Sequence, residues 1–172
     1  MSRAFVKEAD DELSGDELPE RALNDHPNYV TPHGLDLLHA RLKELQEQRD
    51  RLKADDAPLA RQKLLEIKRD IRYYRAQIER AEIVDSTGQP RDEVHFGATV
   101  AIQNEADTRQ VFHIVGDDEA DIAANRISWA SPLATALIGA KVGDVVKWQR
   151  PAGASDIEIV AIDYGNTGTP RH

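Results

Sequence analysis

Pro58 constrains this chain more than any other residue. It interrupts a long stretch with a helical period, and a proline ring inside a helix removes a hydrogen bond and clashes with the turn before it. It also pushes Ala57 out of the helical region. The chain should therefore reverse at Lys53-Ala54-Asp55-Asp56-Ala57-Pro58 and pack two antiparallel arms as an αα-hairpin. On the first arm, Thr31 is placed to cap, and Pro32 suits the first helical position, where a missing N–H costs nothing. Apolar residues recur at Leu35, Leu38, Leu42, Leu45 and Leu52, and on the second arm at Leu64, Ile67, Ile71, Tyr74, Ile78 and Ala81. Steps of three and four make this the seam of a coiled coil. Each arm should run about 22–27 residues, or about 35–40 Å at 1.5 Å per residue. Asp55 or Asp56 is expected to cap the second arm. Such a hairpin buries a thin seam and builds no pocket, so its use is to place its tip or one face against another molecule. A single long helix that dimerises is the alternative; Pro58 and the matched arms argue against it.

Charge sorts the rest of the chain. Its 172 residues carry a net charge of −9 and no cysteine. No apolar run is long enough to cross a bilayer, and the N-terminal residues lack the apolar core of a signal peptide, so a cytoplasmic location is expected. Residues 1–28 combine few apolar groups with many like charges and are expected to form a disordered acidic leader. The hairpin, 29–85, is the one segment that is not acidic. Its second arm holds Arg61, Lys63, Lys68, Arg69, Arg72 and Arg75, with Arg80 beyond. These cations either follow a phosphate backbone as an RNA-facing surface or form a solvated face paired with Glu66 and Asp70. Composition alone favours the solvated face.

Ser86-Thr-Gly-Gln-Pro90 is turn chemistry and marks a linker at 86–90. Beyond it the pattern changes to short β-type runs at 98–102, 110–115, 145–148 and 157–162. Between them Pro132–Ile138 reads as a short helix capped by Ser131, with Gly139 and Gly143 bracketing the return to the next strand. Residues 91–164 should form a small α+β domain, a sheet wrapped over one helix, with 165–172 as a flexible tail. No catalytic constellation emerges. The six histidines show no ligand spacing, and without cysteine the common zinc patterns are excluded. Asp117-Asp118-Glu119-Ala120-Asp121 lacks the alternating ligands and central glycine of a calcium loop and reads as an exposed acidic turn. The expectation is a non-enzyme with no cofactor and no metal of its own.

Several ordered motifs carry a resemblance. His95-Phe-Gly-Ala-Thr-Val100, Ile114-Val-Gly-Asp-Asp-Glu-Ala-Asp121, Ser131-Pro-Leu-Ala-Thr-Ala-Leu-Ile-Gly139 and Ile159-Val-Ala-Ile-Asp-Tyr164 closely resemble the C-terminal domain of the GreA/GreB transcript cleavage factors. Leu65–Tyr73, running on to Ile83-Val-Asp85, is similar to GreB, and Tyr29-Val-Thr-Pro-His-Gly34 resembles the lead into that family's first helix. The resemblance implies an FKBP-like C-terminal domain that docks at the secondary channel rim of RNA polymerase through Ser131, Pro132, Leu133 and Ala134. It implies a hairpin inserted into the channel, near nascent RNA or DNA. The family usually has Asp or Asn before that Ser-Pro; this chain has Ala130.

Cleavage-stimulating members carry Gly-Asp-x-x-Glu-Asn at the tip, whose carboxylates help to hold a second Mg²⁺. Nothing in 46–64 reads so, and each arm is about one heptad short of the family, roughly 10 Å of reach. The resemblance thus implies a polymerase-binding regulator that occupies the channel without cleaving, like short-hairpin relatives. The alternative is a cleavage factor in which Asp55 and Asp56 replace the usual acids. Rivals of other classes are an FKBP-like prolyl isomerase and a free coiled-coil adaptor or chaperone.

Overall fold

The computed structural model describes residues 18–165. The first part of the expected leader and the end of the expected tail lie outside them. The described chain is mixed α+β. Its elements are β1 (Asn28–Val30), α1 (Pro32–Leu52), α2 (Pro58–Arg80), β2 (Ala81–Ile83), β3 (Thr99–Asn104), β4 (Arg109–Val115), β5 (Arg126–Ser128), α3 (Pro132–Leu137), β6 (Val145–Arg150) and β7 (Gly153–Asp163). The described residues divide into two compact units, 18–27 with 36–80, and 28–35 with 81–165. No helix among the described residues is long and apolar enough to cross a membrane.

In the helical unit the chain reverses between Leu52 and Pro58, where the proline ring forbids a continuous helix. The helices have 21 and 23 residues, about 31 and 35 Å at 1.5 Å per residue. Leu45, Ile67 and Ile71 are buried together, with Leu42, Leu52 and Tyr74 packed around them. These are residues of the three-and-four spacing, so the periodicity selects the face that meets the other helix. The cap differs from expectation. Ala57 occupies the N-cap of α2, its carbonyl accepting from Arg61 N at 3.0 Å. Asp55 lies two residues earlier and accepts from Ala57 N at 2.9 Å, an Asx turn that tightens the reversal.

Residues 18–27 also depart from the disordered leader. Arg21 bonds Asp70 at 3.3 Å and lies 3.8 Å from the centre of the Tyr73 ring. Arg80 donates to the carbonyls of Asn24 and His26 at 2.9 and 2.8 Å. Composition counts like charges within a segment. It does not see opposite charges on a helix many residues later.

The sheet unit begins with β1. Where the sequence suggested hairpin throughout 29–85, β1 and β2 pair in parallel, with Tyr29 opposite Glu82. Both short strands flank helices, so a heptad reading runs straight through them. Five strands then form a sheet in the order β5-β4-β3-β7-β6, antiparallel except for β4 with β5. Alternate residues Val100, Ile102, Phe112, Ile114, Ile157 and Ile159 turn inward, as a half-covered sheet requires. Leu133, Ala134 and Leu137 of α3 close the same core. Gly139 and Gly143, at φ of 91° and 92°, turn the chain out of α3 in a conformation that glycine alone adopts cheaply. Gly116 has a different reason: a Cβ there would collide with the Tyr29 carbonyl.

Tyr164 ties the end of the unit back to its start. Its hydroxyl donates to Glu93 O and accepts from His95 N at 2.8 Å. Burial raises the phenol above its usual value, the His95 N–H opposes this, and the Glu93 and Asp92 charges raise it further. A folded pKa above the unfolded one means that this stabilisation is complete below the unfolded pKa of about 10 and is lost as pH rises through the folded value. Melting midpoints of the native chain should therefore fall more steeply than those of Tyr164→Phe as pH rises above about 10. Parallel curves for the two proteins would remove Tyr164 from the alkaline transition.

Candidate functional site

Two surfaces can meet a partner, one on each unit. On the helical unit, the reversal at 53–57 is solvent-exposed throughout. Asp55 has one oxygen engaged by Ala57 N, while Asp56 has no hydrogen-bond or ion-pair partner among the described residues. Next to them Leu59 is 84% exposed, an apolar side chain with nothing to cover it on its own unit. The tip thus offers one free carboxylate, one carboxylate held in a turn, and an apolar knob. Among the described residues, no group of three or more His, Asp or Glu side chains is placed to hold a metal ion.

The six cations proposed for the second arm separate into two sets. Lys68, Arg72 and Arg75, spaced by four and three residues, lie on one face of α2 and line a groove of about 250 Å³ over Ile71. The other three do not line it: Lys63 pairs with Glu66 at 3.4 Å, Arg69 pairs with Asp70 at 3.3 Å, and Arg61 is exposed. The groove also takes in Arg49 and Lys53, which the sequence reading passed over. Their signal is the hairpin itself, since folding the chain back at Pro58 brings the end of α1 alongside α2. Two of these cations have partners, Arg49 with Asp50 at 3.3 Å and Arg72 with Glu20 at 2.7 Å. Lys53, Lys68 and Arg75 have none among the described residues. Unpaired cations around a groove attract a polyanion through charge and counterion release.

On the sheet unit, Ser131 caps α3, its Oγ accepting from Ala134 N at 3.3 Å, and Pro132 starts the helix. Ser131, Pro132 and Leu133 form one wall of a mainly apolar groove of about 790 Å³. Phe112, Ile127 and Trp148 line it further, with Ile122 85% exposed and Arg126 and Arg150 among its polar residues. The Arg150 guanidinium lies 4.8 Å from the Trp148 ring centre, so it extends the apolar surface with a charged face. Ala134 is fully buried in the core and cannot belong to an exposed docking surface, which corrects its place in the expected set. Helical spacing sends Ala134 and Leu137 to the same inward face.

The acidic run 117–121 is not merely an exposed turn. Glu119 is 7% exposed and accepts from Thr31 Oγ1, Asp117 accepts from Ser128 Oγ, and Asp121 accepts from Ala123 N at 3.1 Å. These bonds order the segment that carries Ile122. The sequence reading missed Phe112, Ile122 and Trp148 as groove residues. Ile122 is apolar beside Asp121 in an otherwise polar stretch, and that contrast is the available signal.

Comparison with known proteins fits both units. The family model described as "Transcription elongation factor, GreA/GreB, C-term" matches residues 89–164. Transcription elongation factor GreB of Neisseria meningitidis serogroup B is 36% identical over 153 residues, covering 80% of this chain and 94% of that protein. GreA of a Chelativorans species is 45% identical over 89 residues, covering 51% of this chain and 57% of its own. The solved GreA/GreB factor of Nitrosomonas europaea has 24% identity, covers 79% of this chain and 98% of its own, and gives a TM-score of 0.41. With sequence similarity running through the helical unit and the sheet unit alike, this chain belongs to the GreA/GreB family of transcription elongation factors.

Proposed function

We propose that this chain regulates transcript elongation by binding RNA polymerase at the secondary channel rim, without stimulating transcript cleavage. The sheet unit, in an FKBP-like arrangement, docks through its apolar groove, with Ser131 and Pro132 on one wall, the buried Leu133 beneath them and Ile122 exposed at its lining. The hairpin, a short coiled coil, enters the channel with the cations of α2 facing nascent RNA. The observation that carries the non-cleaving reading is the tip. Asp55 is held by Ala57 N, Asp56 stands alone, and Leu59 projects beside them. A shared metal ion needs oxygens within about 2.0–2.6 Å, which demands both reach and a pair of donors free to turn toward it.

The non-cleaving reading also takes each arm to be about one heptad shorter than in the family. The alignment with the Neisseria GreB spans 153 positions but only 80% of this chain's 172 residues, roughly 138. About fifteen aligned positions of that relative have no counterpart here, a number that one missing heptad in each of two arms would account for. Loss of seven residues from each helix draws the tip back by roughly 10 Å at 1.5 Å per residue.

The alternative, cleavage support by Asp55 and Asp56, is separated by one experiment. In stalled, backtracked elongation complexes this chain should bind core polymerase and compete with a full-length cleavage factor, leaving the transcript at its original length. Robust shortening that disappears in the Asp55→Ala, Asp56→Ala double variant would overturn the non-cleaving reading. Failure to bind core polymerase at all would overturn the docking reading.

A further inference from the structure

We propose that the segment at residues 20–26 is an intramolecular competitor for the basic groove of the hairpin, with Glu20 held where a single-stranded RNA backbone would bind. The inference rests on the RNA-facing reading of that groove given above. Five contacts fasten residues 20–26 along α2. Glu20 accepts from Arg72 at 2.7 Å, and Arg72 is itself a groove cation. Arg21 clamps the next position by its bond to Asp70 and its stacking on Tyr73. Arg80 holds the carbonyls of Asn24 and His26. Glu20 is thereby fixed on one of the cations a phosphate would use. A carboxylate and a phosphate compete for the same guanidinium, because both accept its charge-assisted hydrogen bonds.

The rest of the charge pattern points the same way. Lys53, Lys68 and Arg75 line the same groove and have no partner among the described residues. Glu20 is tethered to the helix it contacts and acts at a high effective concentration, so an individually weak ion pair suffices to compete. An RNA strand that enters the groove must displace Glu20 from Arg72. The groove is then partly closed in the free protein and opens to a ligand of higher charge density.

The test uses the full chain and a fluorescein-labelled oligouridylate, read by anisotropy. Glu20→Gln combined with Arg21→Gln unfastens the segment without altering a groove cation. The double variant should bind about three- to tenfold tighter than the native chain at low salt, the scale of one or two exposed ion pairs released. Its logarithmic salt dependence should steepen by about 0.7 for each cation freed to meet a phosphate. In the native chain, amide exchange at residues 18–27 should accelerate when the oligonucleotide is added. Equal affinities with unchanged exchange would overturn the competition while leaving the groove reading intact, provided Arg72→Ala still weakens binding. No binding by either protein would overturn the groove reading and the competition together.

Discussion

Replacing Leu137 with Ala should cost the sheet unit about 2–5 kcal/mol, the usual range for emptying a buried leucine site. Leu137 has no exposed surface and sits in the cluster that joins α3 to the sheet. A helix of six residues has almost no stability of its own in water, so α3 persists only while packing holds it. The same substitution should loosen Ser131, Pro132 and Leu133, which form the groove wall at the start of α3. Calorimetry should show the unit's melting midpoint lowered by on the order of 10–20 °C, and capture of core polymerase should weaken with it. A shift of only a degree or two would mean that α3 does not seal this core.

The second large effect is expected on the hairpin. Leu45→Ala removes the least exposed member of a seam whose buried apolar cluster consists of Leu45, Ile67 and Ile71. The loss is again about 2–5 kcal/mol. A thin seam has little else to redistribute it. Helical circular dichroism should therefore melt at a lower temperature, while Trp129 and Trp148 fluorescence in the sheet unit keeps its native transition. Leu59→Ala is the matched control: at 84% exposure it should change stability by no more than about 0.5 kcal/mol. Should L45A melt like the native chain, the seam would not be what holds the two helices together.

The hairpin shows how far local pattern reaches. Pro58 and the spacing of Leu42, Leu45, Leu52, Ile67, Ile71 and Tyr74 were enough to place the reversal and the seam, because helix period and proline sterics are local properties. The strands at 99–104, 109–115 and 145–150 were legible through alternation, and Ser131 through its position before Pro132. The parallel pairing of β1 with β2 was not. Three-residue strands carry too little pattern, and each exists through its partner across more than fifty residues of chain.

The candidate surfaces were half legible for the same reason. Lys68, Arg72 and Arg75 could be nominated from composition. Their grouping with Arg49 and Lys53, and their separation from Lys63 and Arg69, depends on which helix face each occupies once α1 lies alongside α2. Ala134 looked like its neighbours in sequence yet faces the core.

By itself, the sequence determined the family, the change from helical to β-type periodicity along the chain, and the lack of a Gly-Asp-x-x-Glu-Asn motif in residues 46–64. These are matters of residue identity and short-range spacing. Only the tertiary structure decided that Asp55 is held in a turn, that Glu119 is buried against Thr31, and that Glu20 reaches Arg72. Each of those depends on where distant backbone segments come together. A carboxylate is a free ligand, a buried acceptor or an ion-pair partner according to the donors that packing brings within about 3 Å of it.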